Sequence, residues 1–256
     1  MPSSSSSSSA KSSVDPGSVH ADVLFVGNSF TFYNNLDETF VSIGKSINMD
    51  LKASRLALGG QKLIDTASST DPLGKQFDAA LNHPYTHVVL QEHSTNPLND
   101  YPSFLSGVKA LKQKINAKLP NAEIYLYSTW GFQNLANSRH CTIPEAEAAL
   151  RDAYRRCGVE AGVKVSYAGQ AFSQSYVSHP EINLYFTDDK HPSYAGTYLA
   201  ASTHLGTFFG VDIRPATFHG DSSKSIESGG LQYIAESYAT TLRGIAYDVA
   251  FSLTSK

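Results

Sequence analysis

Short apolar runs and longer amphipathic stretches alternate along this chain. Runs rich in β-branched and aromatic residues fall at 23–26, 51–58, 87–90, 124–127 and 163–167, each followed by a helix-like segment. The clearest such segment places Phe104, Val108, Leu111 and Ile115 at steps of four, three and four, sets lysines on the opposite face, and stops before Pro120. Strands joined by helix-length crossovers predict a mainly parallel sheet covered on both faces, an α/β/α sandwich of three layers. The tail reads as helical. HPSYAGTYLAASTHLGTFFG has a proline at a helix start, and GLQYIAESYATTLRGIAYDVAFSL spaces Leu231, Ile234, Tyr238, Leu242, Ile245 and Val249 helically. A long polar loop is expected between them, over residues 210–229.

Open parallel sheets bind ligands beyond the carboxyl ends of their strands. The stretches to inspect are therefore GNSFT, LGGQKL, QEHSTN and STWGF. Ser29 sits where a strand gives way to the amino end of a helix, so its hydroxyl is either an exposed nucleophile or an N-cap. A serine nucleophile needs a base, and the base needs an orienting group. TDDKHPSYAG supplies candidates: Asp188 lies three residues before His191, Pro192 stiffens the chain behind it, and Asp189 competes for the orienting role. The plain alternative is a surface loop with a cap. Gly59 and Gly60 allow a backbone N–H close approach to a developing oxyanion, or simply make a turn. Gln91 or Asn96 could add a side-chain amide, or satisfy local backbone groups. Trp130, the only tryptophan, is either a stacking platform for substrate or core packing. His93 and Glu92 either contact substrate or are solvated, and as a metal pair they lack further ligands. His83, His87, His179, His204 and His219 follow no catalytic spacing and are read as structural.

Composition narrows the classes. Among 256 residues, 20 basic against 23 acidic side chains leave a formal charge of −3 and no basic stripe for a phosphate backbone, which argues against nucleic acid. No apolar stretch approaches the roughly 18 residues of a membrane-spanning helix. The amino end is serine-rich, so residues 1–19 are expected to be disordered and 20–256 to form one domain, with compartment and oligomeric state left open. Between Cys141 and Cys157, Thr142 with Glu145 forms a capping box, Pro144 sits in the first turn and Gly158 marks the expected end. A straight helix separates those two α-carbons by about 24 Å, against a disulfide reach of about 7 Å, so both should be free thiols.

Taken in order, GNSF (27–30), GGQKL (59–63), LQEHS (90–94), STW (128–130) and the D-x-x-H of Asp188 and His191 resemble the SGNH hydrolases of the wider GDSL esterase/lipase superfamily, over residues 22–209. The resemblance implies a sheet order of 2-1-3-4-5, with Ser29 as nucleophile and first oxyanion donor and Gly60 as second donor. It makes His191 the general base and acid and Asp188 the group that holds its tautomer. One block departs: the family's usual G-x-N-D is replaced by LQEHSTN. Gln91 is the expected third donor, with Asn96 as substitute; Gly59, Trp130 and His93 are expected to contact substrate. Asn28 replaces the commoner aspartate of GDS. The implied activity is ester hydrolysis through an acyl-enzyme without metal or cofactor, with a short acyl group on a carbohydrate or other polar carrier. A non-catalytic glycan-binding module, or a lipase or thioesterase for longer chains, is the alternative. A nucleotide-binding flavodoxin-like protein is disfavoured by a glycine-poor first loop without a phosphate-binding lysine.

Overall fold

A computed structural model describes residues 13–226 and 230–252. Five parallel strands, β1 (His20–Gly27), β2 (Asp50–Ala57), β3 (His87–Leu90), β4 (Glu123–Tyr127) and β5 (Lys164–Ser166), form one sheet in the order β2-β1-β3-β4-β5. This is the predicted topology. Side chains alternate between two cores. Val23, Phe25, Val89, Tyr125 and Tyr127 face one, and Leu24, Val26, Val88, Leu90, Ile124 and Leu126 face the other. Because both faces are covered, the strands read as continuous apolar runs rather than as half-polar ones.

The helix Tyr101–Lys118 buries Phe104, Val108, Leu111 and Ile115, as its spacing predicts, under an Asp100 cap to the Ser103 amide. The capping box at Thr142 opens the helix Ile143–Ala161, but that helix runs past Gly158 and ends at Gly162, whose φ is 63°. Gly158 has a different duty: a Cβ there would stand 2.6 Å from Val165 of β5, so the glycine lets helix and strand touch. Cys141 and Cys157 are both free.

Three further boundaries differ from the sequence expectation. Residues 13–19 are not a loose tail: Val14 bridges Val211, its N–H bonds Gly210 at 2.9 Å, and Pro16–Ser18 forms a turn capped by Asp15. The serine run of residues 1–12 lies outside the described residues. The expected polar loop contains a strand, β6 (Gly220–Ser225), paired antiparallel with β7 (Leu231–Tyr233). Leu231 is therefore exposed in a hairpin, and the last helix begins at Glu236 with Leu242, Ile245 and Val249 buried. A helical spacing of apolar residues cannot tell a helix from a half-exposed hairpin that happens to share its period. The helix Tyr194–Phe209 is capped by Ser193 rather than begun by Pro192. Among the described residues no helix is long and apolar enough to cross a membrane.

Candidate active site

β1 ends at Gly27, and after Asn28 the four residues Ser29–Phe32 make a single helical turn. Asn28 caps it: its side-chain oxygen accepts from the Phe30 N–H at 3.2 Å, and its Nδ2 donates to the Gln61 carbonyl at 3.0 Å. Both halves of the amide are used. An aspartate could make the cap but could not donate to Gln61, which accounts for Asn28 in this block. Gln61 also closes the turn that follows β2, donating its N–H to Leu58 at 3.1 Å, and Gly60 within that turn has φ 74°. That left-handed backbone is the reason for glycine, since a Cβ at Gly60 would meet open space.

Ser29 and His191, 162 positions apart, meet at 2.8 Å between Oγ and Nε2. The other ring nitrogen, Nδ1, is 2.5 Å from Asp188 Oδ2, while Asp188 Oδ1 accepts the N–H groups of His191 at 2.9 Å and Lys190 at 3.1 Å. One oxygen thus holds the loop and the other the ring. Burial pushes the Asp188 carboxyl up, but the His191 ring and the two backbone donors outweigh it and leave the group below the usual carboxylate range. Asp189, the rival, turns the chain instead with φ 54°, and its carbonyl accepts the Gln133 N–H. With Nδ1–H donated to Asp188, Nε2 is free to accept the Ser29 proton.

Two supports escaped the sequence reading. The His191 ring stacks on Tyr33 at 4.4 Å and meets the edge of Phe30 at 5.6 Å. Asn34, buried with φ 56°, donates its amide to the Pro192 carbonyl at 2.9 Å and to the Thr197 hydroxyl at 3.0 Å, strapping the segment after Ser29 to the loop that carries His191. The repeated asparagines of FYNN were the available signal, because asparagine tolerates left-handed backbone better than most residues.

Three expectations require correction. Gln91 is 1 % exposed and its amide is held below the site: Oε1 accepts the Asn28 N–H and the Thr31 hydroxyl, each at 2.9 Å, and Nε2 donates to the Glu92 carbonyl. It braces the turn from below and does not line the cavity in which an oxyanion would form. Gly27 makes room for it, since a Cβ there would stand 2.5 Å from Gln91 Oε1. Asn96 is likewise buried and set back from the pocket lining. Trp130 is wholly buried, stacked on Phe172 at 4.0 Å and on Phe30 at 4.5 Å, with its N–H donated to the Lys190 carbonyl at 3.0 Å. It supports the Ser29 turn and the His191 loop from inside, and no substrate can reach it. Glu92 is also no solvated residue. It is fully buried, accepts the N–H groups of His93 at 2.6 Å and Leu63 at 3.3 Å, and is pushed up to about 7 by burial.

Above these supports a cavity of about 340 Å³ opens beside Ser29, lined also by Tyr33, Gly59, Gly60, His93, Lys190 and His191. Burial first, then the charges of Lys190 and Lys62, lower the His93 pKa, so its ring is neutral near pH 7 and carries one N–H. The five histidines read as structural do not line this cavity. Among the described residues no three histidine, cysteine or acidic side chains gather as a metal set.

Neither a family profile nor a curated protein matches the chain. Solved structures do. A protein proposed to be an SGNH hydrolase from Slackia heliotrinireducens aligns at 24 % identity and TM-score 0.60, over 71 % of this chain and 95 % of its own. A DUF4886 family protein from Bacteroides uniformis aligns at 14 % identity and TM-score 0.76, over 93 % of this chain and 96 % of its own. An acetyl xylan esterase aligns at 15 % identity and TM-score 0.55, over 73 % of this chain and 99 % of its own.

Proposed function

We propose that this chain, which has the fold of the SGNH/GDSL hydrolases, is a serine esterase that removes short acyl groups, acetyl first, from a carbohydrate or another polar carrier. The observation that carries the reading is the continuous run of contacts from Asp188 through His191 to Ser29, opening on a cavity. Fold alone would not suffice, since one fold hosts many functions.

In this mechanism His191 Nε2 takes the Ser29 proton as Oγ attacks the ester carbonyl. The oxyanion lies against the N–H groups of Ser29 and Gly60, donors of this kind contributing about 2.7 to 4 kcal/mol each. With Gln91 buried away from the cavity lining, the third donor is assigned to His93, whose neutral ring lines the cavity. His191 then protonates the leaving alcohol, and a water deprotonated by the same nitrogen cleaves the acyl-enzyme and returns Ser29 to its starting state. Asp188 keeps the ring in the required tautomer throughout and stabilises its charged form.

A small acyl group suits a cavity of this size bordered by Phe30 and Phe32, and the shared fold with an acetyl xylan esterase favours acetyl. Hydrolysis of a 4-nitrophenyl ester series tests the reading. Activity is expected to be highest on acetate and to vanish in Ser29→Ala. A rise in kcat/KM with chain length would favour a lipase or thioesterase, and no turnover together with no fluorophosphonate labelling of Ser29 would leave a binding module.

A further inference from the structure

The two oxyanion donors assigned outside the Ser29 turn stand on loops that the sheet does not join. Gly60 follows β2 and His93 follows β3, both line the cavity, and β1 lies between those two strands. Each loop is tied to the Ser29 turn: Asn28 Nδ2 reaches the Gln61 carbonyl on one side, and Gln91 Oε1 holds the Asn28 N–H and the Thr31 hydroxyl on the other. Glu92 closes the triangle. Its Oε1 accepts the N–H of Leu63 at 3.3 Å and that of His93 at 2.6 Å. Among the described residues the bond to Leu63 is the only hydrogen bond between residues 58–66 and 91–95. Leu63 opens the turn Leu63–Thr66, and Lys62 before it supplies no side-chain cap, so the acceptor comes from another loop. Glu92 and Glu147 are the buried acids of the described chain, but Glu147 pairs within its own helix, with Arg151 at 3.8 Å. Glu92 alone of the two joins separate loops. Burial pushes its carboxyl up to about 7, and the N–H groups of His93 and Leu63 pull it back toward the ionised form that accepts them best.

We propose that Glu92 is a positioning residue, whose single carboxylate oxygen fixes the loop of Gly60 against the loop of His93 and so sets the gap between the two donors that flank the oxyanion. Such donors act only where the charge will develop, and a displacement of about 1 Å can cost about 10²-fold in rate. The inference rests on the esterase reading for the effect on rate, but not for the coupling of the loops.

The full chain is compared with Glu92→Gln, Glu92→Ala and, as a buried carboxyl elsewhere, Glu147→Gln. Turnover of 4-nitrophenyl acetate and hydrogen exchange of the backbone amides are measured on each. Glu92→Gln keeps an acceptor oxygen but weakens it, and should lower kcat about ten-fold with KM within about two-fold. Glu92→Ala removes the acceptor and should lower kcat by about 10², the scale of one lost oxyanion donor. In both, the amides of residues 60–63 and of His93 should exchange at least about ten-fold faster. Glu147→Gln should keep kcat within about two-fold and leave exchange in both loops as in the parent, whatever it costs in stability. Should Glu92→Ala not fold, Glu92→Gln decides alone. If the parent turns over no ester, faster loop exchange confined to the Glu92 variants still supports the coupling, and the esterase reading alone fails. An active parent whose kcat survives within about two-fold in the Glu92 variants, loop exchange unchanged in them, or changes shared equally by Glu147→Gln would each overturn the inference, even if the esterase reading stands.

Discussion

Two serine–histidine pairs occur in this molecule at nearly the same distance. Ser29 and His191 meet at 2.8 Å, and Ser166 at the end of β5 meets His204 at 2.7 Å. Their surroundings differ in every respect that matters to chemistry. His204 is fully buried, edge-on to Tyr127 at 4.3 Å and stacked with Phe208 at 5.2 Å, with no carboxylate, and burial pushes its pKa down to about 3. Such a ring is a poor proton acceptor, and nothing can reach Ser166. His191 has a carboxylate behind it, an aromatic wall beside it and a cavity in front. A serine–histidine hydrogen bond is therefore a packing device or half of a reaction centre according to what stands on its two far sides.

The largest expected effect separates the pairs outright. Ser29→Ala should lower kcat by about 10⁶, the scale of nucleophile removal in serine hydrolases, whereas Ser166→Ala should leave kcat within about two-fold. A fluorophosphonate followed by peptide mapping should modify Ser29 and not Ser166; labelling of Ser166 would show that burial has been misjudged. Next comes Asp188→Asn, which keeps the shape of the loop but presents the wrong hydrogen-bonding pattern to Nδ1, with an expected loss of about 10⁴ in kcat.

The buried pair has a signature of its own in stability. His204 binds its proton at about 3 when folded against 6.5 ordinarily, so between those values the unfolded chain holds the extra proton. The contribution is complete above pH 6.5 and is lost as pH falls, by about 2 to 3 kcal/mol at pH 4.5. Urea unfolding at pH 7 and 4.5 should show a smaller acid loss in His204→Phe than in the parent. An unchanged pH dependence would mean that His204 does not stay neutral. Ser166→Ala, which strips the His204 ring of its partner, should cost about 1 to 3 kcal/mol at pH 7 without touching activity.

The smallest expected effect concerns how the reactive pair is held. Asn34→Gly keeps the left-handed backbone but removes the strap to Pro192 and Thr197, and should reduce kcat about ten-fold with little change in KM. A variant indistinguishable from the parent would leave the aromatic contacts of Tyr33 and Phe30 as sufficient support.

Much of this was legible from residues alone, and the failures have a common cause. The five strands, their helical crossovers and the pairing of Asp188 with His191 follow from local pattern: apolar period reports burial, and a three-residue offset in a tight loop brings carboxylate and ring together. Two polar side chains were misjudged. Gln91 and Trp130 stand at the right strand ends, yet one braces Asn28 and Thr31, some sixty positions earlier, and the other donates to Lys190, sixty positions later. Hydrophobic pattern says that a side chain is inside and not which distant group takes its hydrogen bond.

The chain's own pattern thus determined the layered sheet and which loops gather at its carboxyl edge, because strand and helix periods are set by steric rules acting within a few residues. Only the tertiary structure decided which serine–histidine pair faces a cavity, which polar side chains serve as struts, and that His93 and Lys190, from separate loops, line the cavity at Ser29. Those outcomes depend on the direction of side chains from separate loops packed against one another, and no spacing along the chain carries that information.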